Sequence, residues 1–214
     1  MTGADPGLAK RATYRHGNLR RALLEAGTEL ARGGGPDAVV LREATRRAGV
    51  APSAAYRHFA DRRALLDAVC SAAQRELAEA MEAELAGLPR GGDTADAARA
   101  RLRAIGTGYL RFAREEPGLF RTAFSESDNL RSAASPARAG KSGLTPFQLL
   151  GAALDELVEA GVLPRERRPG AEFLAWSAVH GLAMLLIEGP LRGIDDAQAQ
   201  DAGCRLLDMV ERGL

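Results

Sequence analysis

The sequence predicts an all-α protein of about nine helices, with a small helical head and a larger helical body. Three observations carry that prediction. Apolar residues recur at helical spacing in one segment after another, and no stretch of any length alternates with a period of two. Only 5% of the residues are aromatic, so alanine and leucine, which lead the helix-propensity scale, must do most of the packing. Glycine and proline cluster between the periodic segments, where they act as punctuation.

Leu19, Leu23, Ala26 and Leu30 lie on one face of a first helix, which ends at Gly33-Gly34-Gly35-Pro36. Leu41, Ala44 and Ala48 mark a short second helix, and Gly49 stops it where a left-handed residue closes a helix. Pro52 suits the first turn of a third helix, since its missing N–H is no loss there. That helix ends near Phe59, a core residue. Asp61 is an N-cap for a fourth helix from Arg62 to about Leu85, with Leu65, Leu66, Val69, Ala73, Leu77, Ala80 and Leu85 inward. Leu88-Pro89-Arg90-Gly91-Gly92 is a break. A fifth helix starts at Thr94 or Asp96 and reaches Glu116, and a short sixth spans Leu119 to Phe124 beyond Pro117. Residues 125–146, rich in Ser, Ala, Gly and Pro, read as a mobile linker, part of it a candidate for disorder. Phe147, Leu150, Leu154, Leu157 and Val158 give a seventh helix, ended at Gly161. Glu172 to Ile187 give an eighth, apolar nearly all round, and Leu206, Leu207 and Val210 mark a ninth. The organisation this implies is a disordered tail over 1–13, a head over 14–61 and a body over 62–214.

The net charge of +1 hides an asymmetry: residues 1–65 carry +6 and the remainder −5. A basic head on an acidic body points to an anionic partner for the head, against the alternative of chance variation on a solvated surface. Several classes are excluded. The two cysteines, Cys70 and Cys204, have no metal-ligand spacing and no disulfide framework, which favours a cytoplasmic protein. The first 17 residues hold no apolar run of signal-peptide type, and Ala178 to Ile187 is broken by His180 and too short to span a bilayer. His16, His58 and His180 sit in three different segments, with no catalytic order, glycine-rich phosphate loop or paired metal ligands. The expectation is no enzyme, no cofactor, no metal and no membrane.

The stretch AGVAPSAAYRHF, Ala48 to Phe59, sits at the junction of the second and third helices. Two short helices joined at Gly49, with another packed across them, describe a helix-turn-helix, a unit that places its second helix in the major groove of DNA. Small Ala51, Ala54 and Ala55 allow close packing. Tyr56 and His58 are donors for phosphate oxygens, and Arg57 suits either a phosphate or a guanine edge.

The run HGNLRRALLEAG…GGPDAVVLREATRRAGVAPSAAYRHFADRRALLDAV, residues 16–69, resembles the DNA-binding domain of the TetR family of bacterial transcriptional regulators. The resemblance implies a ligand-responsive repressor that binds a palindromic operator in double-stranded DNA as a homodimer. It assigns the DNA-facing positions to Arg42, Pro52, Ser53, Ala54, Tyr56, Arg57, His58 and Arg62. Arg15 and His16 precede the first helix, as a groove-seeking arm or a solvated tail. The sequence departs from the family's pattern at Val40 and Ala51, where Ser or Thr usually caps the two short helices, and at Ala54 and Arg62, where Thr and Lys are common. Losing a cap oxygen costs about 1 kcal/mol. A helical DNA-binding module without an inducer is the alternative function.

Trp176, His180 and Gly181 match a Trp-x-x-x-His-Gly pattern of one effector-domain subgroup of that family. Trp176 and His180 share a helical face, as a pocket wall, a core pair or a dimer contact. The candidate ligand residues are Tyr109, Phe112, Phe147, Trp176, His180 and Met184. With Phe120 and Phe124, they either line a cavity or are the core's main fillers. Few charges lie on these inner faces, so the expected effector is small, neutral and apolar, oriented by Tyr109 or His180, with residues 125–146 as a gate. Gly181 in mid-helix costs roughly 1 kcal/mol against alanine, which makes sense at a close helix crossing. The candidate dimer interface is Gly181, Leu185, Leu206, Leu207 and Val210 about a two-fold axis.

Overall fold

The computed structural model describes residues 7–89, 94–125 and 132–214, with side chains from Leu19 onward. Among these residues there are nine α-helices and no strand: α1 Gly7–Gly34, α2 Leu41–Arg47, α3 Pro52–Ala55, α4 Arg62–Ala86, α5 Thr94–Glu115, α6 Pro117–Ala123, α7 Pro146–Glu159, α8 Ala171–Ile187 and α9 Asp196–Gly213. No helix among them is long and apolar enough to cross a membrane.

The local signals in the head act as their chemistry requires. Gly49 takes φ +66°, the left-handed conformation that lets α2 end and the chain turn into α3. Val40 and Ala51 stand at the N-caps of α2 and α3 with no side-chain cap bond, whereas Asp61 caps α4 by accepting from the Ala64 N–H at 2.8 Å. Helix α3 is a single turn. Bonds from the N–H groups of His58 and Phe59 to the Ala55 carbonyl carry the bend on to Phe59, which is 2% exposed. Helix α1 begins at Gly7, so Arg15 and His16 fall within its backbone and not ahead of it. Their side chains, and residues 1–6 of the expected tail, lie outside the described residues.

Helix α4 joins head to body. Leu65 and Val69 pack on α1 at Gly27, and Leu77 and Met81 are buried further along. Helix α5 runs through the centre of the body, against α4 on one side and α7, α8 and α9 on the others. The short α6 is wedged between α4 and the end of α1. Its C-terminal carbonyls accept from α4 side chains, Thr122 from the Cys70 thiol at 3.0 Å and Ala123 from Gln74 Nε2 at 2.8 Å. At its other end Gly118 is pressed onto the carbonyls of Ala31 and Arg32, where a Cβ would collide with backbone. Arg32 fastens the same joint through ion pairs to Glu116 and, at 3.0 Å, to Glu76.

The described part of the expected linker is built in. Ser132–Ala134 and Pro136–Arg138 form 3-10 turns, and Arg138 and Ala139 are buried. The Glu82 carboxylate accepts from the N–H groups of Lys141 and Ser142, each at 2.9 Å, and from the Ser142 hydroxyl at 2.6 Å. These bonds hold Glu82 below the usual carboxylate range although burial opposes them. Thr145 and Gln148 then form a capping box that starts α7.

Candidate functional site

Two regions carry functional side chains. In the head, Arg42 on α2, Pro52 and Ser53 on α3, and Tyr56 and Arg57 in the following bend are exposed, while Ala54 and His58 are half-buried. Tyr56 is 60% exposed, an unusual placement for an aromatic ring in a chain with so few. Arg46 and Arg47 both pair with Glu43, at 2.7 and 3.3 Å. The hydrogen bond from Arg46 pulls the Glu43 carboxyl down to about 2, against desolvation. Much of the positive charge at the end of α2 is therefore met within the helix. Arg62, expected at a phosphate, instead donates Nε to the Val39 carbonyl and Nη2 to the Pro36 carbonyl, both at 2.8 Å. Its guanidinium ties the start of α4 to the turn before α2, so its main engagement is structural.

In the body, a cavity of about 680 Å³ runs among α4, α5, α7, α8 and α9. Tyr109, Phe124, Phe147, Trp176 and His180 supply its aromatic wall, with Leu102, Ile105, Leu150, Val179, Leu207 and Val210 as aliphatic lining. The rings form one connected cluster: Phe124 lies 4.9 Å from His180 and 6.1 Å from Trp176 between centroids, and Phe147 lies 5.8 Å from Trp176. Phe120, fully buried behind this wall, meets Tyr109 edge-on at 5.3 Å.

A hydrogen-bond chain crosses the wall. Trp176 Nε1 donates to the Tyr109 hydroxyl at 3.1 Å, and that hydroxyl is 2.9 Å from His180 Nδ1. An indole N–H only donates, so Tyr109 accepts from Trp176 and has its own proton to give. Nδ1 of His180 is the acceptor in place for it. Burial raises the Tyr109 pKa far above the ordinary phenol value and lowers that of His180, so both rings are neutral at pH 7. The His180 shift has a measurable consequence. Below its ordinary value of 6.5 the unfolded chain binds a proton that the folded chain still refuses, so stability is full above that pH and falls as pH drops toward the folded value. The urea midpoint of the wild type should therefore fall more between pH 7.5 and 5.5 than that of His180→Gln. Parallel midpoints for the two proteins would contradict this assignment.

Two family models cover most of this architecture. "Bacterial regulatory proteins, tetR family" matches residues 23–69, and "Tetracyclin repressor-like, C-terminal domain" matches residues 102–210, about half of the chain. The chain belongs to the TetR family. Solved structures of similar shape include a protein of unknown function from Rhodococcus sp. RHA1, 27% identical, covering 92% of this chain and 95% of that one with a TM-score of 0.68. A TetR-family transcriptional regulator from Pectobacterium atrosepticum is 19% identical over 94% of each chain, TM-score 0.62. The TetR family transcriptional regulator PfmR from Thermus thermophilus is 22% identical over 90% of this chain and 98% of that one, TM-score 0.53. At these identities the last two likenesses concern the fold. No curated protein matches the chain significantly. As a TetR-family member, the chain is a DNA-binding transcriptional regulator.

Four of the ligand candidates, Tyr109, Phe147, Trp176 and His180, line this TetR-family cavity together. Phe112 and Met184 do not. Phe112 is buried in the core one turn beyond Tyr109 on α5, and Met184 sits half-buried one turn beyond His180. Leu207 and Val210, expected at a dimer interface, are buried inside the chain: Leu207 packs on Gly106 of α5, where a Cβ would strike it. Leu206 is half-buried, and Gly181 and Leu185 are exposed as an interface would need. The lining also holds charges that the sequence did not disclose. Arg103 pairs with Asp208 and, at 3.1 Å, with Glu211. Arg138, only 6% exposed, has its pKa lowered by burial. No apolar period flags Arg138, because the segment around it has none.

Proposed function

We propose that the chain is a ligand-responsive TetR-type repressor that binds a palindromic operator as a homodimer in the cytoplasm and releases it when a small neutral effector fills the cavity. One observation carries this reading: the cavity and the head share two helices. Helix α4 lines the cavity with Gln74 and Met81 and is tied to the head through Arg62. Helix α6 offers Ala123 and its C-cap Phe124 to the cavity at one end and rests Gly118 on α1 at the other. A ligand that prefers one arrangement of α4 and α6 shifts the population of head positions, and heads at the wrong separation cannot engage both half-sites.

The dimer reading is supported by unpartnered apolar surface. Four of the six exposed large hydrophobic residues, Phe173, Leu174, Leu185 and Met209, lie on α8 and α9. Leu174, Ser177, Gly181 and Leu185 follow helical spacing on one exposed stripe, and the space over Gly181 is open. An isologous contact between two such faces would bury them. In sedimentation at micromolar concentration the wild type should run as a dimer, and Leu174→Asp with Leu185→Asp as a folded monomer. A well-folded wild-type monomer would overturn the dimer. Gel shift of the dimer on an operator selected from random duplexes then tests release by cavity ligands, and a chain that selects no sequence would overturn the repressor.

A further inference from the structure

The geometry points to an effector that carries a neutral hydrogen-bond acceptor, of carbonyl type, on an apolar body, read by the Nε2–H of His180. The inference rests on the cavity being an effector site and adds what the effector must present there. Of the three polar side chains in the aromatic wall, two are spent on each other. Trp176 gives its one proton to Tyr109. Tyr109 accepts that proton, and among the described residues the one acceptor within reach of its own buried hydroxyl proton is His180 Nδ1. A neutral imidazole that accepts at Nδ1 carries its proton at Nε2. Among the described residues no protein group takes up Nε2, while the ring itself lines the cavity. The chain of bonds therefore fixes the tautomer and leaves one donor for a guest.

The surroundings select the guest's chemistry. His180 is enclosed by rings, with Phe124 at 4.9 Å, Phe120 at 5.6 Å, Trp176 at 6.2 Å and Tyr109 at 6.4 Å. A guest with a donor in place of an acceptor meets an N–H and leaves two donors facing each other. A hydrocarbon leaves Nε2 unpaired and desolvated. A ketone, ester, amide or lactone satisfies the N–H and lays its apolar remainder along Phe124, Phe147 and Leu150.

The test uses three probes that share a nonyl tail: undecan-2-one, 2-methylundec-1-ene, in which a methylene replaces the carbonyl oxygen, and decanoate. Trp176, the chain's one tryptophan, reports binding by fluorescence, and thermal shift gives a second readout. The ketone should bind the full-length protein about tenfold or more tightly than the alkene, the ratio of one hydrogen bond made or lost. His180→Phe should bring the two dissociation constants together, chiefly by weakening the ketone, and His180→Gln, which keeps a donor, should restore part of the gap. Ketone and alkene binding equally to the wild type would overturn the His180 assignment while leaving an apolar effector site. Decanoate binding best would overturn it in favour of Arg138. If none of the three binds, the effector-site reading falls and the inference with it.

Discussion

Gly118→Ala should unfold the protein well below the wild-type temperature, although the substitution adds only a methyl group. A Cβ at this position would meet the carbonyl oxygens of Ala31 and Arg32 and the Arg32 carbonyl carbon. These are backbone atoms at the end of α1, and the nearby Arg32–Glu116 and Arg32–Glu76 ion pairs hold that end in place. A side chain that meets another side chain can rotate it away. Here a helix has to move. The loss should be about 2 to 3 kcal/mol, the upper part of the range for overpacking. For a chain of this length that is roughly 4–12 °C in melting temperature. The control is Gly33→Ala, also in helix, where a Cβ meets nothing within 4 Å. That change should be neutral or stabilising by up to about 1 kcal/mol, from helix propensity and a less flexible unfolded chain. If thermal melts show the two variants displaced alike, the close contact between α6 and α1 is not as described. Gly118→Ala should also bind operator less tightly at temperatures where it remains folded, because the same contact sets the angle of the head.

Operator binding should weaken by about 10² between 50 and 200 mM salt, the effect of neutralising about four phosphates. Two heads, each presenting the cations Arg42 from α2 and Arg57 from the bend after α3, with Tyr56 and His58 as further donors, supply that number. The variants separate the roles. Tyr56→Phe removes one hydroxyl from a ring that is largely in solvent, so its effect on folding should be small. It should weaken all duplexes alike, since phosphate contacts carry no base information. Arg57→Ala should lower the salt slope by about one per head if it meets phosphate, or relax the requirement at one base pair if it meets guanine. Fluorescence anisotropy over a salt series with two operator variants distinguishes these outcomes. Binding that ignores salt would remove the head from the DNA interface altogether.

Much of this architecture is legible in the sequence because its signals are local. Gly49 and Asp61 each announce a helix end through one residue's conformational or hydrogen-bonding preference, and both act as announced. Periodicity shows that a face is buried but not what buries it. Leu206, Leu207 and Val210 share one sequence pattern, yet Leu207 and Val210 close on α5 and the cavity while exposed Met209 lies between them. Phe112 is as apolar and as buried as Tyr109 and lies elsewhere in the core. The segment around Arg138 and Ser142 looks unstructured because what fixes it, the Glu82 carboxylate and the Arg75 guanidinium of α4, involves no repeat along the chain. The bond from Trp176 through Tyr109 to His180 joins positions 67 and 71 residues apart, a relation that spacing within one helix does not encode.

The sharing of α4 between the two halves bears on how such proteins can be recombined. A head excised at the loop before Asp61 would leave behind Leu65 and Val69, the side chains that cover α1 at Gly27, and would abandon the Arg62 guanidinium that braces the turn before α2. It would also expose the underside of α1 where Gly118 now sits. A functional exchange of DNA specificity between this protein and a relative therefore has to carry the first half of α4 with the donor head and match the acceptor's α6 to the new end of α1. The seam that suits a swap runs through the middle of a helix and not through the nearest loop.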